Sequence, residues 1–134
     1  MRSGPTSSRR SPGPDAVGLL DRLRKPPPAP AEADRLTLRQ LESLGANLTR
    51  PRHVLHFLYF ADGQHARDAA QDIDRAGYEV TISPPDDTIA EWSVRAEATR
   101  VVDGTTVDAF RAWFERVAAE HAGEYDGWEA AAQP

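Results

Sequence analysis

An α+β two-layer sandwich is the fold class this sequence predicts, and three patterns carry the prediction. HVLHFLYF (53–60) is apolar and β-branched or aromatic on both faces, as a central strand is. EWSVRAEATRVV alternates, with Trp92, Val94, Ala96 and Ala98 on one side and Ser93, Arg95, Glu97 and Thr99 on the other. A stretch of helical periodicity follows each of these strands, so two helices must pack on one sheet.

The first 33 residues belong to none of this. They are rich in Pro, Ser, Gly and Arg and pass through PPPAPA, a composition that buries too little apolar surface to offset its ordering entropy. Residues 1–33 are therefore expected to be a disordered leader, stiffened toward polyproline at Pro26 to Pro30, and residues 34–130 to be the domain. A short helix opens the domain, with Leu38, Leu41 and Leu44 on one stripe and Gly45 as its stop. Strand 53–60 comes next. Asp62 then caps a helix that turns Ala66, Ala69, Ala70 and Ile73 inward and ends at Gly77. YEVTI (78–82) alternates as a half-buried strand, SPPDD turns the chain, and strand 90–102 returns. Thr105 and Asp108 have capping-box spacing, opening a helix with Val107, Phe110, Phe114, Val117, Ala118 and His121 inward, which Gly123 ends.

GEYDGWE (123–129) is left over, and the order strand, helix, strand, strand, helix lacks only a last strand. Placed there, the segment completes the βαββαβ pattern of a ferredoxin-like sandwich. Burying Tyr125 and Trp128 stabilises by about 2–3 kcal/mol each. Ordering seven backbone residues costs about 7–14 kcal/mol, so rings alone do not hold the segment. It must also gain ladder hydrogen bonds, or pair its carboxylates with arginine. Asp126-Gly127 is a turn-forming dipeptide that would fold both rings back over the core. Packing accounts for Tyr125, Gly127 and Trp128; it does not account for Glu124, Asp126 and Glu129, which are solvated or belong to a recognition surface.

A chain of 134 residues is expected to form one domain, and without cysteine it has neither disulfides nor thiolate metal sites. No apolar run reaches the roughly 20 residues that span a bilayer, and Ala16 to Leu20 is too short for an export signal, so a cytoplasmic protein is expected. Charge divides unevenly: residues 1–25 carry six basic and two acidic groups (+4), the remainder ten basic and nineteen acidic (−9), which sums to the net −5. An acidic domain disfavours a nucleic-acid backbone and favours a basic partner.

No phosphate loop, dinucleotide fingerprint or nucleophile elbow is present, so no enzyme, cofactor or metal is expected. His53 and His56 face opposite sides of a strand and cannot share a metal. His121 and Glu124 are three apart at a helix end, without a third ligand in sequence.

For the strand at 53–60, Leu55, Phe57 and Tyr59 form the cleaner core set, because the other set contains His56. Val54, His56, Leu58 and Phe60 then fall on the open face beside Arg95 and Glu97, as an exposed stripe for a partner. The alternative is that the helix at 36–44 folds over that stripe.

LESLGANLTRPRHVLHFLYF, AGYEV and above all GEYDGWE resemble the regulator of ribonuclease activity B family, the protein inhibitors of ribonuclease E, over about Leu36 to Glu129. The resemblance implies a ferredoxin-like, non-catalytic domain that binds a nuclease away from its catalytic centre. This chain departs from the best-studied type, which has a longer acidic stretch, in having a compact core and a basic, Pro-rich leader. The expected site is then Glu124, Asp126, Glu129, His56, Leu58, Phe60, Arg95 and Glu97, and the expected partner an endoribonuclease with a basic segment. Two other readings stay open: an RNA-binding module of the same topology, with RNA otherwise touched at most by the arginine-rich leader, and a small domain that dimerises weakly through its open face.

Overall fold

A computed structural model describes residues 29–132. The expected disorder of the leader therefore falls, for residues 1–28, outside the described residues. Residues 30–33 belong to the first helix, which begins four residues before the expected boundary because Pro30 opens it at a position where no backbone N–H is needed.

The elements are α1 (Pro30–Ser43), β1 (Pro51–Phe60), α2 (Gly63–Arg75), β2 (Glu79–Ser83), β3 (Trp92–Val101), α3 (Gly104–Glu120) and β4 (Gly123–Ala130). From β1 onward this is the expected strand-helix-strand-strand-helix-strand order. The four strands form one sheet in the order β2-β3-β1-β4, every pairing antiparallel. The fold is α+β, with its helices on one face of the sheet.

Local chemistry sets most boundaries. The Asp62 carboxylate accepts from the His65 amide at 2.8 Å and starts α2, and Gly77 at φ +99° leaves it. Ala66, Ala69, Ala70 and Ile73 are all buried, and the three alanines let the helix lie close on the sheet. In the turn after β2, the Asp86 side chain accepts from the amides of Thr88 and Ile89. The capping box of α3 is not Thr105 with Asp108. Asp103 is the N-cap: its carboxylate accepts from the Thr106 amide, and the Thr106 hydroxyl accepts from the Asp103 amide, each at 2.9 Å. Asp108 is thereby released to pair with Arg35 of α1 at 2.9 Å. In α1, Leu38 and Leu41 are buried, but Leu44 lies past the last turn and is 63% exposed.

The structure reverses the two faces of β1. Arg52, Val54, His56, Leu58 and Phe60 are buried against the helices, while Leu55, Phe57 and Tyr59 lie partly exposed on the open face. The reversal turns on His56, a polar residue that is nevertheless fully buried. Its Nδ1 has a partner in the Tyr125 hydroxyl at 2.8 Å and its ring stacks on Phe114, so the interior accepts it. Arg52 is accepted likewise, donating to the carbonyls of Ala131 and Asn47, each at 2.7 Å. Helix α1 leaves the open face uncovered; Leu38 and Leu41 join the same core as the other helices.

GEYDGWE is the edge strand β4, paired to β1. Asp126-Gly127 is a bulge rather than a turn: Leu58 pairs with Tyr125 and Phe57 with Gly127, so Asp126 is the extra residue. In a regular strand, residues three apart face opposite ways. The bulge turns Tyr125 and Trp128 to the same side, onto the core. Gly127 sits at φ +131°, a conformation that favours glycine. Gly123 is needed for space instead, since a Cβ there would lie 2.3 Å from the Phe60 ring and 2.6 Å from the Tyr59 carbonyl oxygen.

Gly127→Ala is expected to destabilise the fold by about 1–3 kcal/mol through backbone strain alone. Gly123→Ala should cost more, and a urea-unfolding series that ranks the two the other way would contradict this account.

Candidate functional site

Two constellations stand out, one beneath the sheet and one on top of it. Beneath, three elements distant in sequence meet at Asp34. Its carboxylate, on α1, accepts from Arg111 of α3, Nε at 2.5 Å and Nη2 at 3.0 Å, and from the Trp128 indole N–H of β4 at 2.8 Å. The Asp34 side chain is 3% exposed and Arg111 15%, so the pair is largely desolvated. Arg111 also reaches Glu115 at 2.9 Å and lies over the Tyr125 ring at 5.0 Å. The Asp34 hydrogen bonds, ahead of the opposing cost of burial, hold the guanidinium still more firmly protonated.

Rings close the space around this ion pair. Trp128 meets Phe110 edge-on at 5.5 Å, and Tyr125 stacks on Phe114 at 5.2 Å. Burial pushes the Tyr125 phenol well above its ordinary range, keeping it a neutral hydroxyl against His56. Burial, and after it the charges of Arg100 and Arg111, drive His56 down to about 3. The imidazole is therefore neutral, and its Nε2 is a buried polar atom with no hydrogen-bond partner. Such an atom costs about 1–3 kcal/mol.

On top, the register sets side chains in rows across the open face. One row reads Glu79, Glu97, Leu55, Glu129; the next Thr81, Arg95, Phe57, Gly127; the third Ser83, Ser93, Tyr59, Glu124. Leu55, Phe57 and Tyr59 thus run down the middle as an apolar stripe with carboxylates on both sides. Glu97 is bonded by His53 at 2.9 Å and approached by Arg95 at 3.6 Å. Four glutamates less one arginine leave this face at −3 with His53 neutral.

Of the residues singled out from sequence, Glu124, Glu129, Arg95 and Glu97 share this face, and Asp126 is exposed on the bulge beside it. His56, Leu58 and Phe60 do not: at 0%, 0% and 1% exposure they are core and offer no surface to a partner. Their places are taken by Leu55, Phe57 and Tyr59. Glu79 was missed, because only the β2–β3 register brings it beside Glu97. Asp34 and Arg111 were missed too, since nothing local distinguishes a buried carboxylate from the exposed majority.

His121 does acquire neighbours. Among the described residues, Asp72, Glu120 and His121 hold one ligand atom each within 4.8 Å of one another, and His121 Nε2 already hydrogen-bonds Asp72 at 2.8 Å. A shallow groove between α2 and β2, edged by Gln64, Arg67, Asp68 and Ile82, contains none of the site residues expected from sequence. No helix among the described residues is long and apolar enough to cross a membrane.

These features define a small α+β domain with one face sealed by helices and the other presented as an acidic sheet. Residues 31–130 match the family model of regulator of ribonuclease activity B, and the chain belongs to that family. A family so described regulates a ribonuclease rather than being itself a known enzyme. No curated protein matched the chain.

Asp34→Ala strands Arg111 and should cost about 3–5 kcal/mol in chemical unfolding. Trp128→Phe loses one hydrogen bond to a charge, about 1.5–3 kcal/mol, and the double variant should cost less than the sum because both act on one carboxylate. His56 gives a pH signature. Its folded pKa lies below its unfolded value of 6.5, so its contribution is full above pH 6.5 and drains away as pH falls toward about 3, where the unfolded chain alone takes the proton. Between pH 7.5 and pH 5 the protein should lose about 2 kcal/mol that His56→Phe does not lose.

Proposed function

We propose that this chain is a non-catalytic, protein-binding regulator that restrains a cytoplasmic endoribonuclease of the ribonuclease E type by engaging a basic segment of the nuclease on its open sheet face. The observation that carries the reading is the row Glu79, Glu97, Leu55, Glu129. Like charges placed directly opposite across strands are destabilising, and Glu79 with Glu97 is such a pair. An arginine-rich ligand would relieve that repulsion, while Leu55, Phe57 and Tyr59 would supply apolar contact between the charges. Glu124, Asp126, Glu129, Arg95 and Glu97 are the contact residues in this reading; Tyr125, Gly127 and Trp128 hold the strand that carries three of them.

The strand order supports a ferredoxin-like domain, and that topology is shared with RNA-binding modules whose central strands stack bases on aromatic rings. Phe57 and Tyr59 on β1 fit that alternative. Their β3 neighbours Arg95 and Ser93 are not aromatic, and the flanking glutamates repel phosphate, so the protein partner is favoured.

The triple variant Glu79→Gln/Glu97→Gln/Glu129→Gln keeps shape and removes three charges. It should bind the purified endoribonuclease about tenfold more weakly than the parent at low salt, with the gap narrowing as salt is raised. Unchanged affinity at low salt would remove the sheet face from the interface.

A further inference from the structure

We infer that the open sheet face also has an occupant within the same chain: the segment Ala16–Lys25, which would compete there with the basic segment of the nuclease. The inference deepens the reading just given and rests on the same face. Its first support is matching chemistry. The segment sets Leu19, Leu20 and Leu23 among Arg22, Arg24 and Lys25, with Asp21 as its one acid, a balance of +2. The face sets an apolar stripe among glutamates with a balance of −3, the four glutamates less Arg95. Apolar residues interleaved with cations fit an apolar stripe flanked by carboxylates better than a purely basic run would.

The second support is where the chain enters the domain. Asp34, one turn into α1, hydrogen-bonds Trp128 of β4, so the N-terminal end of α1 is tied to the strand that carries Glu124 and Glu129. Three residues lie between Lys25 and Ala29, so the four steps span at most about 14 Å, and Leu20 lies within about 30 Å of Ala29. Asp34 and Trp128 lie on the helix side, so the segment must round the β4 edge, a path of about 10 Å, and then cross about 4.8 Å from β4 to β1. That total lies within the span available to Leu20. Tethering does the rest. A segment held at an effective concentration of about 1 mM, with an intrinsic dissociation constant of about 0.2 mM, would weaken a competitor about sixfold. The consequence is a regulator whose own basic segment sets the threshold for nuclease binding.

The chain has no cysteine, so Ala16→Cys accepts a single nitroxide label in the full-length protein. Amide signals of Phe57 and Glu129 should broaden more than that of Ala69, which lies on the helix side. Arg22→Gln/Arg24→Gln/Lys25→Gln should abolish the broadening, and Arg2→Gln/Arg9→Gln/Arg10→Gln, with the same change in net charge, should keep it. In fluorescence anisotropy with a nona-arginine peptide, the first triple variant should bind about sixfold tighter than the parent and the second should not. Equal effects of the two triples would mean general electrostatics and overturn the inference. So would absence of selective broadening. Broadening that passes to unlabelled copies in a mixed sample would name a second copy as the occupant, and likewise overturn it. The label experiment contains no nuclease, so a positive result alongside a triple-glutamine variant with unchanged nuclease affinity would sink the functional reading alone.

Discussion

The Asp34 carboxylate is the point on which the architecture turns. A buried carboxylate is unfavourable unless its charge is neutralised and its lone pairs are occupied. Here a guanidinium supplies the charge through two N–H bonds and an indole supplies a third. Each donor comes from a different part of the chain, α3 and β4, and the acceptor from α1. The three segments can satisfy one another only when all three are docked. A polar group that would be a liability alone therefore acts as a register pin for the helix that opens the domain and the strand that closes it.

The bulge at Asp126-Gly127 follows from the same requirement. Trp128 must reach Asp34 while Tyr125 reaches His56, and a regular strand would point one of the two away from the core. One extra residue, with glycine at φ +131°, brings both rings down together. The cost is a weakened ladder at the sheet edge, where Asp126 has no partner in the register. The gain is an aromatic layer of His56, Phe110, Phe114, Tyr125 and Trp128 that closes the core beneath the edge strand.

Sealing one face so completely leaves the other to present charge. With Arg52, Arg111 and most of the rings drawn beneath the sheet, the upper side keeps the glutamates set around Leu55, Phe57 and Tyr59. Carboxylates set around apolar residues give that face a field that repels phosphate and attracts cations.

Element order, the caps at Asp62 and Gly77, the inward set of α2 and the strand nature of GEYDGWE were all legible from periodicity and turn chemistry, because each depends on neighbours within a few residues. So was membership of the family, through the Glu-Tyr-Asp-Gly-Trp motif. The face of β1 was not, because both of its sides are apolar and the one discriminating residue, His56, is made acceptable by a hydroxyl sixty-nine residues away. Nor was the row of glutamates, whose members come from three strands, or the burial of Asp34, whose partners lie seventy-seven and ninety-four residues on. Local pattern decides what a segment becomes; only the packed fold decides which of its charges are hidden, since the desolvation that hides them depends on groups the sequence places far apart.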